Sequence, residues 1–449
     1  MRLKLAVAAG RAAGLASQRL KRGGGTTLPG VVARFVDRST AGRLAAGLRN
    51  GCILVSGTNG KTTTSRLISA MLAKAGRRVV HNRAGANLMS GVTTALLHSE
   101  GDTGLFEIDE AALPAAIAEL RPQLVLCLNL FRDQLDRYGE LNTLASKWAQ
   151  ALRALDPQAT VLLNGDDPLV ASLARDLACN VRFFGLDASE LALEAMQHAA
   201  DSIYCPCCGG LLAFDTVYYG HLGAYRCDAC GFARPPLDFA ASRVQLSLEP
   251  PPRLTIAGLA LETSLPGLYN AYNVVAAASA GLSLGLPPEL VAASVKDFAA
   301  AFGRTETVEM DGRRLRLLLA KNPVGFNEVI RTLLLDPNPL HLYLALNDRI
   351  ADGEDVSWIW DVDFEQLAGR CATVIAGGTR AEDLAVRLKY AGFASEMLRL
   401  ARDHPSAVRE LLAATPAGAT AYAVPTYTAM LDLRAALAQL GVVRQYWED

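Results

Sequence analysis

The sequence predicts an α/β protein: a large parallel-sheet domain carrying a cysteine-rich insertion, followed by a smaller Rossmann-like α/β domain. Three observations predict this. Short apolar runs alternate with longer helical patterns from 52 to 187, and the alternation restarts after Arg304. A glycine- and threonine-rich loop, Gly57-Thr58-Asn59-Gly60-Lys61-Thr62, follows the first apolar run and opens a helix. Two Cys-x-x-Cys pairs, Cys205/Cys208 and Cys227/Cys230, are separated by 18 residues of little periodicity. Apolar strands separated by helices imply a parallel sheet covered on both faces.

The elements follow in chain order. Residues 1–50 form an N-terminal segment whose start, MRLKLAVAAGRAAGLASQRLKRGGG, superficially resembles a signal peptide. Arg11 interrupts its apolar part, so the pattern reads as a basic amphipathic helix ended by Gly23–Gly25, either packed on the protein or lying on a membrane surface. The central domain is expected over 51–307. Its strand candidates are CILVS (52–56), RRVVH (77–81), TGLFEI (103–108), LVLCLNL (124–130) and TVLLN (160–164). The insertion occupies about 201–236. Beyond it, RVQLSL and RLTIAGLALETSL read as strands, and AYNVVAAASAGLSLGL (271–286) reads as a helix of small residues suited to close packing. The C-terminal domain, 308–449, offers RRLRLLLA (313–320), HLYLALN (341–347), ATVIAGG (372–378) and TAYAVP (420–425) as strands.

Composition narrows the function. The 449 residues are 51% hydrophobic and 20% charged, which suits two or three folded domains. A formal net charge of −1 gives no global attraction to nucleic acid or anionic lipid. No apolar run approaches the roughly 20 residues that span a bilayer. Nine cysteines, an odd number without a secretory signal, argue for a reducing compartment rather than a disulfide framework.

The loop 57–62 has the residue types that cradle phosphate. Glycines let backbone N–H groups crowd around phosphate oxygens, and the helix N-terminus adds partial positive charge. Lys61 would reach the β- and γ-phosphates, the Thr62 hydroxyl would ligate Mg²⁺, and Thr63 adjoins them. Val55 stands where the usual motif has its first glycine, so the loop is a shortened variant. ATP is the expected nucleotide. Acidic residues Glu107, Asp109 and Glu110 at a strand end supply oxygen ligands of the kind Mg²⁺ takes. Four thiolates from the two Cys-x-x-Cys knuckles predict a closed, structural zinc ribbon, with Cys207 a poorer-spaced alternative to Cys208. The sequence between the knuckles lacks a basic cluster, which disfavours nucleic-acid binding.

Further motifs join the loop in order over 57–306. They are Asn82–Asn87, Phe106–Glu110, Asp133-Gln134-Leu135-Asp136-Arg137-Tyr138-Gly139, Asn164-Gly165-Asp166-Asp167-Pro168, Gly267–Asn273 and Gly303-Arg304-Thr305-Glu306. Together they resemble the Mur ligase and folylpolyglutamate synthetase superfamily. That resemblance implies a Mur-ligase-type central P-loop ATPase domain that activates a carboxylate by phosphorylation. It makes Glu107 a Mg²⁺ ligand, Asn270 a purine-side contact, and Lys61 and Arg304 the cations that offset charge on the transferring phosphoryl group. Only about 50 residues precede the loop, too few for the uridine-nucleotide domain of ordinary Mur ligases, and Gln134 replaces their histidine. Lys147, an approximate counterpart of their carbamylated lysine, reads better as a helix-surface residue.

The ribbon, the stretch Leu319–Asn327 and the stretch Asn347–Asp361 are similar to the MurT family, the synthetase subunits of lipid II isoglutaminyl synthase. This implies a cytoplasmic enzyme, working at the inner face of the membrane through a lipid-linked substrate. It would use ATP to amidate the D-glutamate α-carboxylate of the lipid II stem peptide to D-isoglutamine. The ammonia would come from a GatD-type glutaminase partner. Asp355 matches the family position that orients the partner's catalytic histidine; its alternative is a loop-capping carboxylate. Lys321 and Asn322 fall either in a substrate site or in a solvated loop, and Gly377–Arg380 is either an anion site or a tight turn. Two rival functions are a stand-alone amino-acid ligase of the same superfamily and a non-enzymatic zinc-ribbon scaffold.

Overall fold

The computed structural model describes residues 1–19, 27–82, 86–132, 141–298, 304–310 and 312–439, apart from the side chains of Arg304 and Thr305. The stretches 83–85 and 133–139, and Gly23–Gly25 and Gly303, therefore lie outside the described residues.

Cys52–Ser56 is buried at every position, as a continuous apolar strand should be. It is the third strand from one edge of a sheet of nine strands among the described residues. From edge to edge these are Leu259–Glu262, Arg253–Ile256, Phe239–Gln245, Asn180–Leu186, Thr160–Asn164, Leu124–Cys127, Cys52–Ser56, Thr103–Glu107 and Val79–His81. Pairing is parallel from Val79–His81 through to Phe239–Gln245, and antiparallel for the last two strands. Cys52–Ser56 pairs Thr103–Glu107 on one side and Leu124–Cys127 on the other, so the chain reverses direction across it. In α/β sheets the crevice at such a reversal, outside the strands' carboxyl ends, is where ligands bind.

Both faces are covered. Helices Lys61–Lys74 and Leu268–Ser283 build the core on one side, where Ile68 and Met71 meet Val274 and Ala278. The small residues bring this helix pair close: a Cβ on Gly281 would lie 3.1 Å from Met71 Sδ. Helices Met89–His98, Leu113–Leu120 and Leu141–Leu152 cover the other side around Trp148. Helix Arg2–Arg19 packs on Leu28–Val36, which lies on Met89–His98. Arg11, the residue that breaks the apolar pattern, donates from Nε to the Leu97 carbonyl at 3.1 Å. No helix among the described residues is long and apolar enough to cross a membrane.

Asn180–Leu186 and Phe239–Gln245 are parallel neighbours, so the chain between them is a crossover. A hairpin, Ala213–Tyr219 with Leu222–Arg226, and the two cysteine knuckles fill it instead of a helix. The second sheet has six strands among the described residues, in the order Arg304–Met310, Arg313–Leu318, Thr420–Pro425, Leu340–Ala345, Cys371–Gly377 and Leu398–Leu400. Only the first pair is antiparallel. This sheet begins at Arg304, just ahead of the boundary expected at 308.

Candidate functional site

The loop after Cys52–Ser56 takes its shape from its two glycines. Gly57 has φ +144°, and a Cβ there would come within 2.9 Å of the Asn129 backbone nitrogen. Gly60 has φ +90°, caps helix Lys61–Lys74, and faces Asn273 so closely that a Cβ would lie 2.0 Å from its Oδ1. The conformation is left-handed, which only glycine adopts cheaply. Asn129, just past strand Leu124–Cys127, braces the loop: the Thr58 N–H donates to its carbonyl at 2.9 Å and the Asn59 N–H to its Oδ1 at 2.8 Å. Asn129 Nδ2 donates back to the Asn59 carbonyl at 3.1 Å.

Lys61 is buried. Its Nζ donates to the Gly57 and Thr58 carbonyls and pairs with Glu110 at 3.0 Å. Glu107 ends the adjacent strand. Asn82 holds that strand end from both sides, accepting the Glu107 N–H at 2.9 Å and donating to its carbonyl at 2.7 Å. Thr58, Asn59, Gly60, Lys61, Thr62, Thr63, Glu107, Asp109 and Glu110 all border one cavity of about 630 Å³. Hydroxyl and carboxylate oxygens thus share a wall with the loop, which is the donor set Mg²⁺ takes.

Helix Leu268–Ser283 closes another wall. Asn270 donates to the Pro266 carbonyl at 2.8 Å and accepts from Asn273 at 3.2 Å, so its amide sets Asn273 against Gly60. The C-terminal domain supplies the roof through Lys321, Val324, Gly325 and Glu328. Asn322 is fully buried rather than part of a solvated loop. It caps helix Pro323–Leu333 by accepting the Gly325 N–H at 2.8 Å, and donates to Asn59 Oδ1 at 3.1 Å. The insertion reaches the same cavity through Tyr219, whose ring lies 5.9 Å from Phe131 and 5.3 Å from Tyr272 between centroids. Arg304 starts the first strand of the second sheet; its side chain lies outside the described residues.

The four knuckle cysteines converge. Their sulfurs lie within 4.8 Å of one another, with Cys205–Cys230 and Cys208–Cys227 each 3.5 Å apart. A zinc tetrahedron with bonds of about 2.3 Å spaces its sulfurs about 3.8 Å apart, so the donor set fits that ion. The knuckles are built alike. Gly209 and Gly231 both turn at φ +75°, and each returns its N–H to the first cysteine's carbonyl at 2.9 Å. Cys207 is not part of the cluster. Asp166 ties the ribbon to the sheet. It accepts from Arg234 Nε at 2.7 Å, the Tyr272 hydroxyl at 2.7 Å and the Leu186 N–H at 2.8 Å.

The chain matches the Mur ligase middle domain over residues 55–207 and the MurT ligase C-terminal domain over 319–430. It is 35% identical over 451 aligned residues to the MurT subunit of lipid II isoglutaminyl synthase (glutamine-hydrolyzing) from Streptococcus pneumoniae, covering 99% of both chains. The chain belongs to the MurT family. The Staphylococcus aureus MurT subunit is likewise 35% identical, over 86% of each chain. Solved structures share the fold at lower identity. A pseudomurein peptide ligase type C from Methanothermus fervidus superposes with a TM-score of 0.69 at 19% identity, over 89% of this chain and 80% of that one. A MurF ligase from Thermotoga maritima in complex with ADP gives 0.65 at 14%, over 91% and 84%.

Within the MurT-family C-terminal domain, Asp355 sits on an exposed loop away from the cavity. Its carboxylate accepts the Ser357 N–H at 2.8 Å, which holds its pKa below the usual value, and it faces solvent beside exposed Trp360 and Val386. Gly378, at φ +89°, turns the chain into helix Ala381–Tyr390, and Arg380 there is committed to Asp348 at 3.2 Å and Asp383 at 2.6 Å. Lys147 is exposed on helix Leu141–Leu152. Three residues escaped the sequence reading as individual site candidates: Asn129, hidden in a strand-like run; Glu110, taken only as one acid of three; and Glu328. A lone asparagine or glutamate in apolar sequence announces nothing until the fold aims it.

Proposed function

We propose that this chain is the synthetase subunit of a lipid II isoglutaminyl synthase. It would amidate the D-glutamate α-carboxylate of the lipid II stem peptide at the expense of ATP. The observation that carries this reading is the joining of a phosphate loop, Lys61 and the acids Glu107 and Glu110 in one cavity roofed by a MurT-type C-terminal domain. The near full-length likeness to the streptococcal subunit supports the substrate class.

The loop N–H groups, Gly57 through Thr63, bind the triphosphate, and Lys61 and Arg304 offset charge as the γ-phosphoryl group moves. Thr62 and Glu107 would hold Mg²⁺, which when bound would supply further charge neutralisation. An acceptor carboxylate oxygen attacks the γ-phosphorus and ADP departs, leaving an acyl phosphate. Ammonia then attacks the acyl carbon, and phosphate leaves with the bonding pair and takes up the proton that the ammonia nitrogen loses. Asn270 acts by setting Asn273 against the loop on the purine side of the cavity. Zinc on Cys205, Cys208, Cys227 and Cys230 is structural, since four protein ligands leave no open position.

Ammonia comes from a GatD-type glutaminase seated over Asp355, whose carboxylate orients the partner's catalytic histidine. The exposed Trp360, Val386 and Tyr390 around it fit a protein interface. The test is reconstitution: the chain with its glutaminase, lipid II, Mg²⁺, ATP and glutamine, followed by mass spectrometry of the stem peptide. Conversion of one carboxyl to an amide supports the reading. ATP consumption that needs a free amino acid instead of ammonia or glutamine would favour a stand-alone ligase and overturn it.

A further inference from the structure

Glu328 lies on helix Pro323–Leu333 and is only 1% exposed, yet it borders the nucleotide cavity. Neither of its carboxyl oxygens has a hydrogen-bond partner among the described residues. The nearby cation Arg331 is committed elsewhere, to the Tyr218 carbonyl at 2.7 Å and the Leu191 carbonyl at 2.6 Å. A buried carboxyl left without partners is costly to the fold, and such a group aimed into a cleft marks a place that a ligand completes.

Position narrows what that ligand group is. Asn322, at the start of the helix, bonds Asn59 of the phosphate loop, and Glu328 follows six residues later. At a rise of about 1.5 Å per residue it stands roughly 9 Å beyond the loop contact. The same stretch of helix faces the start of helix Leu268–Ser283, where a Cβ on Gly267 would lie 2.3 Å from Thr332 Oγ1. Tyr219, Tyr269 and Val329 border the cavity with Glu328, an aromatic and apolar wall unsuited to phosphate. Beside a carboxylate a phosphate is repelled, whereas a neutral donor is bound.

We propose that Glu328 is a nucleoside-binding residue, its two oxygens receiving the neutral N–H or O–H donors of the bound nucleotide's base or sugar. The proposal rests on the reading that this cavity holds ATP. It assigns the roof of the site a direct part in nucleotide choice, in addition to closing it. Burial also raises the Glu328 pKa to about 7, the cost expected of a carboxyl kept for a ligand rather than for the fold.

The test is calorimetric titration of the full-length chain, Glu328→Gln, Glu328→Leu and Lys61→Ala with magnesium ADP and with inorganic tripolyphosphate. Both Glu328 variants should bind ADP on the order of ten- to a hundredfold more weakly, the loss of a charged acceptor, while tripolyphosphate affinity stays within about twofold. Lys61→Ala should weaken both probes. Inosine diphosphate and 2′- and 3′-deoxy-ADP then separate the sources. The analogue missing the recognised donor binds the wild type weakly and gains no further loss in Glu328→Leu. Unchanged ADP affinity in both variants, or equal losses of ADP and tripolyphosphate, overturns the role of Glu328. A wild-type chain that binds neither probe overturns the ATP site itself.

Discussion

Replacing Asp166 by alanine should be among the most damaging single changes outside the cavity. The carboxylate is fully buried and accepts from Arg234 Nε, the Tyr272 hydroxyl and the Leu186 N–H. Alanine strands all three donors, one of them a cation whose side chain is 18% exposed. Removing one partner of a buried ion pair costs about 3–5 kcal/mol, and the residual exposure of Arg234 places the expectation near 3 kcal/mol. Asp166→Asn keeps an acceptor for Tyr272 or Leu186 and should lose about half as much. The double variant Asp166→Leu/Arg234→Met removes the stranded charge with its partner and should recover stability relative to Asp166→Ala. Urea unfolding followed by circular dichroism measures the loss, and thiol labelling of the knuckles reports whether the ribbon detaches. An Asp166→Ala loss below about 1 kcal/mol, or a double variant no better than the single, would refute the account of Asp166 as the ribbon's anchor.

Other perturbations give sharp outcomes. Gly60→Ala places a Cβ against Asn273 in a left-handed conformation costing about 1–2 kcal/mol, so ADP affinity should fall at least about tenfold; a change under twofold contradicts the geometry. Stripping metal with a strong chelator should expose Cys205 and Cys227, both now buried, to maleimide; continued protection would mean the ribbon stands without an ion. Asp355→Asn should abolish glutamine-driven amidation while sparing the reaction driven by ammonium salts, and equal loss of both would remove Asp355 from partner chemistry. Glu328 gives a pH signature in the nucleotide-free chain. Its pKa rises from 4.5 unfolded to about 7 folded, so its favourable contribution is complete below 4.5 and is lost as pH climbs through 7, about 3 kcal/mol in all. The stabilising effect of Glu328→Gln should therefore grow between pH 5 and pH 8, and a constant difference between the two proteins would contradict it.

Much of the fold was legible because parallel strands buried on both faces are written as continuous apolar runs. CILVS, TVLLN and TAYAVP coincide with strands Cys52–Ser56, Thr160–Asn164 and Thr420–Pro425. Asn180–Leu186 escaped, since Asn180 and Arg182 break the run where the strand's first half is only partly covered. RVQLSL was displaced too: the strand runs Phe239–Gln245, through an irregular turn of backbone at Arg243 with φ +52°. The phosphate loop was readable because its chemistry is local, six residues in sequence. Its supports were not. Asn129 bonds Asn59 across 70 positions and Asn322 reaches it across 263, distances over which sequence carries no pairing signal.

The two ends of the ribbon leave and re-enter the sheet on neighbouring strands, so its internal construction is invisible to the strand register. Exchanging it for an ordinary crossover would leave every bond of the nine-stranded sheet in place. What such an exchange would forfeit is one footing of the second lobe, because Arg331 rests on the carbonyl of Tyr218 within that insertion and on that of Leu191 just ahead of it. With zinc on the four knuckle sulfurs, as proposed, its removal would leave the main body folded and loosen that one footing, an effect to be read in nucleotide affinity rather than in unfolding.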